Sequence, residues 1–99
     1  MPISGPLCRA ARALVQWSRT ELAVRSDVSK SAIRDFETAN VDPRADAVRR
    51  LQHALEQGGA VFLAEGDMGA GVRLRFTARD VKQLRRLEGE GGAMGEDDV

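Results

Sequence analysis

The stretch from Trp17 to Glu37, W-S-R-T-E-L-A-V-R-S-D-V-S-K-S-A-I-R-D-F-E, constrains the chain more than any other. It reads as two short helices joined by a tight turn. Ser18 with Glu21 forms an S-x-x-E capping box that opens the first of them. Ser29 stands where the second needs an N-cap. Leu22, Ala23, Val28, Ile33 and Phe36 are the apolar positions that two crossed helices require on their facing sides, and Ala23 is small enough to let the backbones approach. Ser26, Asp27 and Val28 make the turn. The outward face of the second helix, about Lys30 to Thr38, carries Lys30, Ser31, Arg34 and Asp35.

That spacing is a helix-turn-helix. Side chains such as Lys30, Ser31, Arg34 and Asp35 suit base edges and phosphates in the major groove of double-stranded DNA. Charge alone gives this reading little help, because the formal net charge is zero. Its distribution is uneven. Residues 1–58 and 59–88 each carry +2, and residues 89–99 carry −4. The folding part is mildly basic and the tail acidic, so the reading rests on the motif.

Upstream, residues 1–5 hold Pro2 and Gly5 and little to bury, and are expected to form a flexible N-terminus. A helix is predicted from about Pro6 to Trp17, with Leu7, Ala11, Leu14 and Val15 at helical spacing and Arg9 and Arg12 off that stripe. Trp17 is assigned to core packing. Downstream, A-N-V-D-P-R reads as a loop. Asp42 is the expected N-cap of a fourth helix, with Pro43 at its first position. That helix runs to about Gln57 on Val48, Leu51 and Leu55, and Gly58 and Gly59 supply its left-handed stop.

After Gly59 the period changes. Val61 to Ala64 is a short apolar run, G-D-M-G-A-G a loop, and Val72, Leu74 and Phe76 alternate with Arg73 and Arg75. An antiparallel hairpin of strands 61–65 and 72–76 is expected. An isolated hairpin is marginal in water, so it needs cover from its own helices or from a second copy's hairpin; the latter option argues for a homodimer. Thr77 with Asp80 signals a further helix at 77–88, and residues 89–99, Gly-rich and acidic, are expected to be disordered.

The span 6–76 resembles the Cro/repressor-type, lambda-repressor-like helix-turn-helix family, also called XRE. The resemblance is carried by Arg12-x-Leu14, W-S-x-x-E-L-A, V-S-x-x-x-I-x-x-F-E, and D-P before an apolar helix; A-L-E-x-G-G-A-V-F-L and G-V-R-L-R look like an extension recurrent in small bacterial regulators of that family. The resemblance implies a mainly α fold: a four-to-five-helix domain at 6–58 with its motif at 19–38, a C-terminal β-hairpin at 59–76 and a short final helix. It implies base contacts from Lys30, Ser31, Arg34 and Asp35, and phosphate contacts from Arg19, Ser29, Asn40 and Arg44. It also implies a structural ion pair between Arg12 and Glu37, with the further option that the pair orients Arg12 toward a phosphate. Two positions depart from the family pattern. Asp27 stands where glycine is usual, and Asp tolerates a left-handed backbone better than most residues. Asp35 puts an acid on the DNA face, where it would accept from cytosine N4, hold Arg34 in place, or mark a surface that no longer binds DNA.

Other classes find less support. No apolar run approaches the roughly 20 residues of a membrane span, and the N-terminus lacks the order of a signal peptide. The expected location is the cytoplasm, with nucleoid association when bound to DNA. One cysteine, Cys8, and one histidine, His53, build no metal cluster, and no cofactor is expected. With no nucleophile–base pairing and no phosphate-cradling glycine loop, the chain is not read as an enzyme. The function expected is a sequence-specific transcriptional regulator, a dimeric repressor on a palindromic operator. The alternative is a protein-interaction module on the same fold, an antiactivator or antitoxin-like partner of another protein.

Overall fold

The computed structural model describes residues 2–77. Four helices come first, α1 (Gly5–Val15), α2 (Arg19–Ser26), α3 (Lys30–Thr38) and α4 (Ala45–Gln57), then two strands, β1 (Ala60–Leu63) and β2 (Gly71–Leu74). The fold is mainly helical with a C-terminal hairpin, as the sequence predicts. The predicted helix at 77–88 and the acidic tail at 89–99 lie outside the described residues, apart from Thr77.

The core gathers one face of each helix: Cys8 and Ala11 from α1, Leu22 from α2, Ile33 and Phe36 from α3, and Val48, Leu51 and Leu55 from α4, with Trp17 and Val28 from the connections. Burial of such side chains, each contributing on the order of 2 kcal/mol, is the main force holding four short helices together.

The start of the chain departs from expectation. Ile3 is buried in the core, Ser4 caps α1 by accepting the Leu7 N–H at 3.2 Å, and Gly5 is the first helical residue. A flexible 1–5 segment is therefore corrected for Ile3 to Gly5: one isoleucine at the right distance is enough to anchor the arm. The far end of α1 also differs. It stops at Val15, because Gln16 turns left-handed (φ 62°) and the Trp17 N–H returns to the Arg12 carbonyl at 3.0 Å. Trp17 thus leaves the helix and packs on Gly58, where an added Cβ would stand 2.6 Å from its ring.

Helix α4 begins at Ala45 with Arg44 as N-cap residue and no side-chain cap bond, so Asp42 is not its cap and Pro43 lies outside it. Asp46 supplies a negative charge in the first turn. At the other end Gly58 is right-handed, and Gly59 alone takes the left-handed conformation (φ 113°).

The strands begin earlier than predicted and pair as Ala60–Leu74, Val61–Arg73, Phe62–Val72 and Leu63–Gly71. A bond from the Arg75 N–H to the Gly59 carbonyl (2.7 Å) continues the pairing. Phe62 and Val72 pack on the core, while Leu63 and Arg73 are exposed. Helix α1 packs against both strands and α4 against β1. The hairpin's cover therefore comes from its own helices.

Candidate nucleic-acid interface

Helix α2 is opened by Ser18, whose buried hydroxyl accepts the Glu21 N–H at 3.0 Å. The Glu21 carboxylate takes Arg25 Nε at 2.5 Å, one turn on, and the Arg25 guanidinium lies 4.5 Å from the centre of the Trp17 ring. The helix ends at Asp27, left-handed as the family resemblance implies (φ 60°, ψ 36°). Arg50 of α4 steadies that turn by donating Nη2 to the Asp27 carbonyl at 3.3 Å and Nη1 to Asp46 at 3.1 Å.

Ser29 caps α3 by accepting the Ala32 N–H at 3.2 Å, and its hydroxyl lies 3.4 Å from that of Ser31. Ile33, Phe36 and Glu37 then fall on the buried side of α3. Lys30, Ser31 and Arg34 fall on the exposed side, and Asp35 is half-buried beside them. Arg34 Nε lies 3.5 Å from Asp35 Oδ1, with both side chains about half in solvent. Such an exposed pair contributes little stability and leaves both side chains adaptable.

Beyond α3, Asn40 is left-handed (φ 56°) and exposed, and the Val41 N–H returns to the Asp35 carbonyl at 3.2 Å. Arg44 is 90 % exposed, with Nε 3.5 Å from Asp46 Oδ1. Lys30, Ser31, Arg34, Asn40 and Arg44 thus lie at the surface of α3 and the loop behind it. Ser29's hydroxyl is engaged in its cap, and Arg19 is the one predicted contact residue drawn inward.

Beneath α3 lies a buried charge cluster. Arg12 grips Glu37 with both prongs, Nε to Oε2 at 3.1 Å and Nη2 to Oε1 at 2.9 Å, and its Nη1 donates to the Trp17 carbonyl at 3.1 Å. The expected Arg12–Glu37 pair is present, with side chains 4 % and 0 % exposed. Arg12 therefore sits on the buried face of α1, not off its stripe, and is sealed from any phosphate. Two further partners escaped the sequence reading. Arg19 donates Nε to Glu37 Oε1 at 3.2 Å, and Cys8 donates its thiol to Oε2 at 3.3 Å. Burial, and then the adjacent Glu37 charge, push the Cys8 thiol far above its usual range. It stays protonated and packs in the core.

Among the described residues no cluster of His, Cys, Asp and Glu stands ready to hold a metal, and no helix is long and apolar enough to cross a membrane. A comparison with curated proteins finds no match. The match that exists covers the elements just described: the model of the helix-turn-helix domain family aligns with residues 7–63, more than half of the chain, and the chain belongs to that family of DNA-binding domains.

Proposed function

We propose that this protein is a sequence-specific transcriptional repressor of the Cro/repressor type that binds double-stranded DNA as a homodimer through α3. The observation that carries the reading is the division of α3. Its inner side is fixed by Ile33, Phe36 and the buried Glu37, and its outer side offers Lys30, Ser31 and Arg34 in one exposed row. A helix so propped enters a major groove as a rigid body. Lys30, Ser31, Arg34 and Asp35 then read bases, and Arg19, Ser29, Asn40 and Arg44 hold phosphates and set the register.

The dimer reading is supported by the hairpin, a two-stranded sheet whose outer edges are unpaired among the described residues. Leu63 and Met68 on it are 43 % and 82 % exposed. Two copies related by a two-fold axis meet a palindrome with half-sites about 34 Å apart or a multiple of it. Selection of bound fragments from a random duplex pool tests the whole reading. It should return an inverted repeat, and recovery of no enriched sequence would reject it.

A second reading, a protein-interaction module on the same scaffold, is favoured by the Arg34–Asp35 pair and the zero net charge. Binding to random duplex separates the two. A DNA reader must show salt-sensitive, non-specific affinity, and an interaction module need not.

A further inference from the structure

The charge count around Glu37 does not close. Two guanidiniums, Arg12 and Arg19, share one carboxylate whose side chain is fully buried, and the third donor, the Cys8 thiol, is neutral. Among the described residues, one positive charge is left without a counter-charge inside the cluster. An uncompensated charge next to a low-dielectric core is unfavourable. Arg12 cannot relieve it from outside, because it is 4 % exposed and its remaining prong is spent on the Trp17 carbonyl. Arg19 can. It is the first residue of α2, its side chain is 17 % exposed, and it meets Glu37 through Nε alone.

We propose that Glu37 is a positioning residue for DNA binding: it anchors Arg19 by Nε and thereby aims the rest of the guanidinium fork at one backbone phosphate. The assignment rests on the DNA-binding reading above and adds to it a buried residue that touches no nucleic acid. The bound phosphate completes an alternating row, Arg12 positive, Glu37 negative, Arg19 positive, phosphate negative. A guanidinium fixed on one edge loses less freedom when the other edge binds. The contact is made to the backbone, so it raises affinity for every sequence alike.

The test exploits the sign of a charge change. Glu37→Gln makes the protein one unit more positive, which by simple electrostatics tightens DNA binding. If Glu37 aims Arg19, binding weakens instead, because one of the two accepting oxygens becomes an NH2 that cannot accept, and the carbonyl that is left is a neutral and weaker anchor for the guanidiniums that share it. Affinity for a random-sequence duplex is measured by fluorescence anisotropy across a salt series. The full chain is compared with Arg19→Gln, Glu37→Gln and the double variant, each verified folded by circular dichroism.

Arg19→Gln should weaken binding roughly tenfold and flatten the log–log salt slope by about 0.9. Glu37→Gln should weaken it comparably, and the double variant should be no weaker than Arg19→Gln alone. Glu37→Gln binding as tightly as wild type or more so, or losses that multiply in the double variant, overturns the assignment. If Glu37→Gln does not fold, Arg19→Lys decides: it keeps the charge and gives up the fork. A roughly tenfold loss supports the aiming role, and wild-type affinity overturns it. Absence of salt-sensitive binding by the wild-type chain would instead overturn the regulator reading itself.

Discussion

A Cβ atom on Gly5 would stand 2.0 Å from the carbonyl oxygen of Phe36, so the first turn of α1 lies directly on the backbone of α3. The obstruction is main chain and cannot rotate away. Gly5→Ala should therefore destabilise the protein although alanine is the better helix former by about 1 kcal/mol. Overpacking of this kind costs about 1–3 kcal/mol, and urea denaturation should show a loss in that range. Gly66→Ala, at a position with nothing within 4 Å of the added carbon, serves as the control and should fall within about 0.5 kcal/mol of wild type.

Asp27 presents the opposite case, a residue with a Cβ where none is wanted. Its left-handed backbone (φ 60°, ψ 36°) is set by the turn between α2 and α3, and its carbonyl is held by Arg50. Glycine adopts that conformation without strain. Asp27→Gly keeps the carbonyl and should raise stability by about 0.5 kcal/mol, a gain of about 2–4 °C in Tm for a chain of this size. A lower melting temperature would mean that the aspartate side chain contributes to the turn.

The contrast between these positions explains what the sequence discloses. Ser18 and Ser29 act on atoms within three residues of themselves, so the caps are legible from local spacing, and the left-handed turn at Asp27 is legible from the family resemblance. The end of α1 is not legible, because Gln16 takes a left-handed turn without the glycine that normally announces one. Ile3 is hidden for another reason: a single isoleucine in a five-residue arm has no period, and only the assembled core shows what it fills. Arg12 falls off the apolar stripe of its helix because its side chain is charged, and only the family resemblance points to its buried partner, Glu37. Arg19 and Cys8 reach Glu37 across eighteen and twenty-nine residues of chain. No spacing rule joins positions that meet only after three helices have packed.

On the proposed DNA face, Arg34 and Arg44 should separate base reading from phosphate holding. Both are exposed, and each lies 3.5 Å from an acidic neighbour, Asp35 and Asp46. Arg34→Ala should cost about 1–3 kcal/mol on the selected operator and relax preference at one base pair. Arg44→Ala should weaken operator and random duplex by the same factor and flatten the salt slope by about 1. Gel-shift titrations at several salt concentrations check both. An Arg34→Ala protein with wild-type affinity and preference would remove this residue from the base-reading set.

Cys8 gives the protein an alkaline limit to its stability. In the folded chain burial, reinforced by the Glu37 carboxylate, holds the thiol protonated well above its usual range. In the unfolded chain it ionises near its ordinary pKa of about 8.5. Below that pH both states bind the proton, and the stabilisation is fully present. Above it the unfolded state releases a proton that the native state keeps, so stability should fall by up to about 1.4 kcal/mol per pH unit until the folded thiol ionises in turn. The chain has no tyrosine, so the phenol that would otherwise titrate from pH 9 to 10.5 is absent. Urea midpoints measured across that interval should decline for wild type. They should stay level for Cys8→Ala, whose own loss of packing lowers the whole curve without tilting it. A wild-type curve as flat as that of the variant would show that the thiol ionises in the fold, and that the contact with Glu37 at 3.3 Å does not keep it neutral.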